Sequence, residues 1–159
     1  MNPDWRAGYE LYFAYGSNML SGRLAERKIK AEKLGNATLA GHTLRFHKRS
    51  QRDGSGKADA VRTDDPSHLV HGIVFKINAG QFGLLDKIEA AKGENPGYSR
   101  KEVAVRMADG SALTAWTYIA NAHAIDATLL PYKWYHDLVR YGAEEHGFPE
   151  HYRKFIDSF

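Results

Sequence analysis

The chain has 159 residues, of which 43% are hydrophobic and 26% are charged, and these proportions are typical of a single globular domain. It contains no cysteine, which excludes disulfides, thiolate catalysis and cysteine-ligated metal sites. The formal net charge is +3, so a nucleic-acid partner has to be considered. Because the sequence has neither an apolar run of about 18 residues nor a signal-type leader, we expect a cytoplasmic protein that does not cross a membrane.

Much of the positive charge falls in two short segments. The first contains Arg23, Arg27, Lys28, Lys30 and Lys33. The second spans residues 47–52. Acidic residues or predicted loops interrupt both segments, and charge runs of this size usually form a solvated face. We therefore predict no nucleic-acid partner, with a polyanion site as the alternative.

The first predicted elements surround a distinctive aromatic segment. A strand over residues 11–15 leads into a tight loop at residues 16–18, and a helix is predicted over residues 19–33. Residues 37–49 are predicted to form one strand. Residues 1–9 are interpreted as a flexible lead-in to a single domain over residues 10–159.

Further along the chain, predicted strands outnumber helices. The predicted elements are a loop over 50–56, a strand over 58–63, a turn at 64–67, a strand over 69–77, a helix over 79–90 capped by Asn78, a hairpin of strands 98–107 and 113–120, and a helix over 131–146. Strands that follow one another in runs favour an α+β fold with a mixed, largely antiparallel sheet over a doubly wound parallel sheet.

The loop Gly16-Ser17-Asn18 has the composition of an anion-binding turn. Gly16 has no Cβ to block close backbone approach, and Ser17 and Asn18 are typical helix-capping residues. A strand, a short loop and a helix start together aim several backbone N–H groups at one point, which suits a carboxylate, a phosphate or an oxyanion. An ordinary strand-to-helix turn explains the same residues equally well.

One acidic residue continues an apolar stripe of the helix predicted over residues 79–90. Phe82, Leu85 and Glu89 are spaced i, i+3 and i+7, so the Glu89 carboxylate is expected at the core or at the edge of a pocket, where partial desolvation suits proton transfer. A solvated glutamate at a fraying helix end is the alternative. Asp86 and Glu94 are expected on the surface.

Aromatic and histidine residues supply the remaining candidates. Tyr98, Tyr118 and Tyr135 are candidate pocket tyrosines, with a core position preferred for Tyr118. Trp134 and Tyr141 are expected to be packing residues, because they form a helical stripe with Leu138. The eight histidines show no metal-ligand spacing. Ser17 is not in a nucleophile elbow, and no phosphate-binding loop is present. We therefore predict neither a metal nor a cofactor.

Three segments in order resemble the γ-glutamylcyclotransferase superfamily. They are Tyr-Phe-Ala-Tyr-Gly-Ser-Asn at residues 12–18, the strand and acidic segment at residues 72–77 and 84–89 followed by Gly-Tyr at 97–98, and residues 135–149 with their Gly-Phe-Pro ending. The resemblance implies a small β-barrel with flanking helices and a proton-transfer role for Glu89. It also implies a substrate-binding set formed by Tyr12, Phe13, Ala14, Tyr15, Gly16, Ser17, Asn18, Tyr98 and Tyr135.

The activity that this resemblance implies is cyclisation of a γ-glutamyl amino acid or amine to 5-oxoproline without a cofactor. It implies a small-molecule γ-glutamyl substrate and a monomer or homodimer. Two alternatives stay open at this point. One is a related enzyme acting on a γ-glutamylamine or a γ-glutamyl-acylated metabolite, and the other is a non-catalytic module that binds a small anion.

Overall fold

The computed structural model describes residues 8–159, and the predicted lead-in lies outside this range except for its last two residues. The elements, in chain order, are β1 (Tyr9–Ala14), a 3-10 turn (Ser17–Met19), α1 (Arg23–Glu26), β2 (Ala31–Ala40), β3 (His42–Arg49), β4 (Gly56–Arg62), β5 (Leu69–Asn78), a 3-10 turn (Ala79–Gln81), α2 (Phe82–Ile88), β6 (Tyr98–Met107), β7 (Ala112–Ala120), a 3-10 turn (Ala122–Ala124), α3 (Lys133–Glu145) and α4 (Glu150–Asp157).

Five strands form a closed barrel in the order β1-β5-β2-β6-β7. Neighbouring strands pair antiparallel, except where β1 meets β7 in a parallel contact at Tyr12 and Trp116. The strands β3 and β4 form a separate two-stranded antiparallel ribbon. The predicted α+β class, with a mixed, largely antiparallel barrel and flanking helices, is confirmed.

The strand β1 is covered on both faces. Every residue from Leu11 to Tyr15 is buried, although successive side chains point to opposite sides of a strand. The neighbouring strand β5 accommodates this crowding at Gly72, where an added Cβ would lie 2.6 Å from the ring of Phe13 and 2.5 Å from the carbonyl oxygen of Ala14. The aromatic segment therefore has a fixed position in the barrel wall.

Two predicted elements in the first third of the chain differ from the structure. The helix predicted over residues 19–33 is reduced to α1, and the chain leaves it at Lys28, which has a φ of +66°. Residues 31–33 instead pair with β5, so barrel hydrogen bonding overrides the local helical pattern. The single strand predicted over residues 37–49 is divided into β2 and β3 by a turn at Gly41, whose φ is +74°.

The later elements agree better with their predicted bounds. Asn78 caps its helix as predicted, since its side chain accepts a hydrogen bond of 2.9 Å from the N–H of Gly80. The helix α3 was predicted, but its buried face contains Tyr135 and Val139. Trp134 and Tyr141 are both 50% exposed, so the predicted packing stripe is not the buried face of the helix. The helix α4 was not predicted. Within residues 8–159, no helix has the length and apolar character needed to cross a bilayer.

Candidate active site

The loop that follows β1 is wedged between the β3–β4 ribbon and α3. A Cβ added to Gly16 would lie 3.2 Å from the Cβ of Ala58 in β4 and 3.3 Å from the hydroxyl oxygen of Tyr135 in α3. The Tyr135 hydroxyl oxygen accepts a hydrogen bond of 3.1 Å from the N–H of Ala58, which ties the two walls together. Ser17 and Asn18 are buried in the same place. A side chain at position 16 would therefore press on both walls, and glycine avoids this contact.

Glu89 is the first residue after α2, and its side chain is 19% exposed. Its Oε1 accepts a hydrogen bond of 2.9 Å from Asn18 Nδ2 and forms an ion pair of 3.0 Å with Arg27 Nη1. Asn18 Nδ2 also donates to the Tyr12 hydroxyl at 2.9 Å, and Arg27 Nη1 donates to Asn18 Oδ1 at 3.2 Å. The glutamate is therefore held in one orientation by the loop and by Arg27, the residue that follows α1.

Glu89 borders a small inner cavity of about 30 Å³, a volume that accepts about one small polar group. The residues that line it are Tyr12, Tyr15, Gly16, Ser17, Asn18, Ala58, Glu89, Tyr98, Thr117, Tyr118 and Tyr135. Glu89 is the one carboxylate in this set. The inner cavity thus combines a single acidic group, the backbone of the loop and several phenol hydroxyls.

The tyrosines of the inner cavity are neutral at physiological pH. Burial raises the pKa of Tyr12, Tyr15, Tyr98 and Tyr118 far above the usual value, and it raises the pKa of Tyr135 to about 12. Their hydroxyls also take part in fixed hydrogen bonds, since Tyr15 donates to the carbonyl of Tyr118 and Tyr98 donates to the carbonyl of Ala58. They can shape and polarise a ligand, whereas Glu89 is the group able to accept a proton.

An outer cavity of about 320 Å³ adjoins the inner one, and Ser17, Glu89, Tyr98 and Tyr135 line both. Its other walls carry the basic residues Arg23, Arg27, Lys48, Arg52, Lys57 and Lys87. Several of these were predicted to belong to solvated surface runs. For Lys48 that prediction is wrong, because the residue is 3% exposed and its Nζ lies 4.5 Å from the ring centroid of Tyr98.

Asp86, which was expected on the surface, is 8% exposed. The Tyr118 hydroxyl donates to its Oδ1 at 2.7 Å, and Arg100 Nε lies 2.9 Å from the same oxygen. The buried face of α2 contains Phe82, Leu85 and Asp86, so the helix turns Asp86 into the protein. Asp86 is absent from the linings of both cavities and acts as a structural carboxylate.

The structure brings together most of the predicted site residues. Tyr12, Tyr15, Gly16, Ser17, Asn18, Tyr98 and Tyr135 all line the inner cavity with Glu89. Phe13 and Ala14 do not, because they belong to the packed barrel wall. Sequence reasoning did not place Ala58, Thr117 or Arg27 at the site. Only the cluster of basic residues around Arg27 offered a signal, and it was assigned to the surface. The described residues contain no group of three metal-ligating side chains.

Comparison with known proteins gives one consistent family. Residues 12–137 match the family described as Gamma-glutamyl cyclotransferase, AIG2-like. The chain is 30% identical to the γ-glutamylcyclotransferase of Bos taurus, with 93% of this chain and 77% of the relative covered. It is 31% identical to the enzyme of that name from Homo sapiens, with 91% and 75% covered.

Solved structures agree with these matches. A structure described as a gamma-glutamyl cyclotransferase is similar with a TM-score of 0.84 and 28% identity, over 95% of this chain and 88% of the other. A yeast gamma-glutamyl cyclotransferase specific to glutathione shares the fold with a TM-score of 0.69 at 13% identity, over 94% of both chains. The chain belongs to the γ-glutamyl cyclotransferase, AIG2-like family.

Proposed function

We propose that the protein cyclises a γ-glutamyl compound to 5-oxoproline and releases the amine that was linked to it, with Glu89 as the general acid and base. The observation that carries this proposal is the position of Glu89, which is the one carboxylate at the inner cavity and is oriented by Asn18 and Arg27. The family match and the named relatives support the same reaction.

The reaction joins two groups of one substrate molecule. The α-amine of the γ-glutamyl unit attacks the γ-carbonyl carbon, which forms the ring C–N bond and places negative charge on the carbonyl oxygen. Glu89 takes the proton that the attacking nitrogen loses. The bond to the second nitrogen then breaks, and that nitrogen receives the proton from Glu89 as the free amine leaves. Protons and electrons balance without a cofactor.

Glu89 is set up for the first of these steps. Both of its hydrogen bonds fall on Oε1, and among the described residues none is donated to Oε2. The ion pair with Arg27 and the hydrogen bond from Asn18 fix the position of Oε1. Oε2 is therefore the oxygen we assign to proton transfer, while Oε1 holds the side chain in position.

The loop at Gly16-Ser17-Asn18 supplies donors for the charge on the substrate. The first N–H groups of a helical turn have no acceptor within it, and the 3-10 turn begins at Ser17. These groups lie beside the phenols of Tyr12 and Tyr135 at the inner cavity. Preorganised donors of this kind stabilise an oxyanion or carboxylate because they need no reorganisation during the reaction. The outer cavity then holds the departing amine.

The test is to incubate the purified protein with a panel of γ-glutamyl dipeptides and γ-glutamylamines and to measure both products. We expect 5-oxoproline and the free amine to appear in equal amounts from at least one member. Appearance of glutamate in place of 5-oxoproline would show hydrolysis and would refute the cyclisation. Absence of turnover across the whole panel would refute the proposed function.

A further inference from the structure

The outer cavity carries far more positive than negative charge. Six basic side chains line it, against the two carboxylates of Asp53 and Glu89, so the formal excess is four positive charges. Glu89 is already paired with Arg27. Asp53 accepts hydrogen bonds from the N–H and hydroxyl of Ser55 and lies 3.7 Å from Lys57 Nζ. The protein itself therefore leaves most of this charge uncompensated.

Lys57 shows the imbalance most clearly. Its Nζ is buried and has no hydrogen-bond partner among the described residues, since the oxygen of its ion-pair partner Asp53 is 3.7 Å away. The ammonium group instead lies 4.2 Å from the ring centroid of Tyr135 and 4.3 Å from that of Trp134. Aromatic faces attract a cation without neutralising it, so the ammonium group retains its capacity to bind an anion.

Partial burial of these cations is unfavourable unless an anion joins them. Desolvation lowers the pKa of Lys48, Lys57 and Arg23 below the usual values. A carboxylate bound among them would replace the interactions with water that the charged groups have lost, because charge-assisted hydrogen bonds are about twice as strong as neutral ones. The volume of about 320 Å³ suits an amino acid rather than a nucleic acid.

The outer cavity is continuous with the inner one, so its positive charge lies where part of the substrate would bind. Ser17, Glu89 and Tyr135 line both cavities, so a substrate whose γ-carbonyl lies next to Glu89 places most of its remaining atoms, including the departing amine, in the basic outer cavity. With a neutral leaving amino acid the substrate brings at most two carboxylates there, against an excess of four positive charges. We propose, on the basis of the proposed cyclisation, that the released amine is an acidic amino acid, so that substrates of the γ-glutamyl-glutamate type are preferred.

A matched pair of substrates isolates this preference. γ-Glutamyl-glutamate and γ-glutamyl-glutamine have nearly the same shape and differ by one negative charge. We expect kcat/KM to be about 10- to 100-fold higher for the glutamate compound, the range of one charge-assisted hydrogen bond. The ratio should fall as salt is added, because screening weakens the attraction at partly exposed cations.

Variants of the cavity lysine test the cause. Lys57→Met should lower kcat/KM for γ-glutamyl-glutamate by a larger factor than for γ-glutamyl-glutamine, so that the ratio falls several-fold. Lys101→Met removes the same charge from an exposed position of β6 outside both cavities and should leave the ratio unchanged. If Lys57→Met does not fold, Arg52→Gln at an exposed position of the same cavity replaces it.

The outcomes separate this inference from the proposed function. The acidic preference is overturned, and cyclisation stands, if both substrates yield 5-oxoproline at equal kcat/KM. The same conclusion follows if the ratio of the two kcat/KM values changes neither with salt nor in the cavity variants. If neither substrate nor any other γ-glutamyl compound yields 5-oxoproline, the proposed function itself fails.

Discussion

Replacing Glu89 by glutamine should remove catalysis and leave the fold nearly unchanged. Glutamine keeps an oxygen that can accept the hydrogen bond from Asn18, but it cannot accept a proton from the substrate. Loss of a general base lowers the rate by about 10²- to 10⁴-fold. The ion pair with Arg27 is also lost, and because both side chains are about four-fifths buried, the free energy of unfolding should fall by about 1–3 kcal/mol.

Asp86→Asn provides the matched control, because it makes the same chemical change three residues earlier in the chain. Asp86 is buried and bonded to Arg100 and to the Tyr118 hydroxyl. Removing its charge should lower the free energy of unfolding by about 1–3 kcal/mol. For a domain of this size that corresponds to a fall in Tm of roughly 2–12 °C. Its rate of cyclisation at low temperature should stay close to that of the parent protein.

Two measurements decide between the carboxylates: 5-oxoproline formation at 25 °C and thermal unfolding followed by circular dichroism. We expect the Glu89 variant to be inactive although folded, and the Asp86 variant to be active although less stable than the parent protein. Near-normal 5-oxoproline formation by Glu89→Gln would refute the assignment. The reverse pattern, with Asp86→Asn inactive while folded, would place the chemistry at Asp86.

Three further changes test the loop, the barrel and the chemistry. Gly16→Val should reduce kcat/KM more than Ser17→Ala, because the valine side chain would press on the hydroxyl of Tyr135. The alanine variant keeps every backbone N–H of the loop. Full activity in a folded valine variant would show that the loop does not hold the substrate. Gly72→Ala should lower Tm by several degrees through its clash with Phe13, and an unchanged melting curve would contradict the close packing described. Dialysis against EDTA should leave the rate of 5-oxoproline formation unchanged, because the sequence lacks metal-ligand spacing and one carboxylate with fixed hydrogen-bond donors can catalyse the cyclisation. Activity that is lost to EDTA and restored by a divalent ion would contradict this.

The sequence predicted the elements whose signals are local. Asn78 marks a helix start by its own side chain, and the hairpin of β6 and β7 follows from alternation around a turn. The helix predicted over residues 19–33 is shortened to α1 because residues 31–33 pair with β5, about forty residues away in the chain. Local periodicity carries no information about such a distant contact. The closed barrel was predicted from the family resemblance and not from the periodicity.

Part of the candidate site was also predictable from local sequence, and part was not. The loop at Gly16 and the stripe ending at Glu89 were visible as separate patterns, and resemblance supplied their connection. The basic residues were misjudged, since a lysine such as Lys48 is exposed in most proteins and nothing in its neighbours in sequence reveals the aromatic ring that it covers. The burial of Asp86 was also missed. It depends on the ion pair with Arg100, which lies in β6 and is not apparent from the sequence around Asp86.

The hydrogen bonds of the site join parts of the chain that are synthesised far apart. Asn18 reaches Glu89 across 71 residues, and Tyr15 reaches Tyr118 across 103. The chain entropy lost in closing such long loops has to be offset before either contact can form, so the site is completed late in folding. A nascent chain that ends before β7 has both Glu89 and the loop but no barrel to hold them together. Turnover is therefore a property of the whole folded domain, and catalytic activity should appear during refolding only when the native barrel closes.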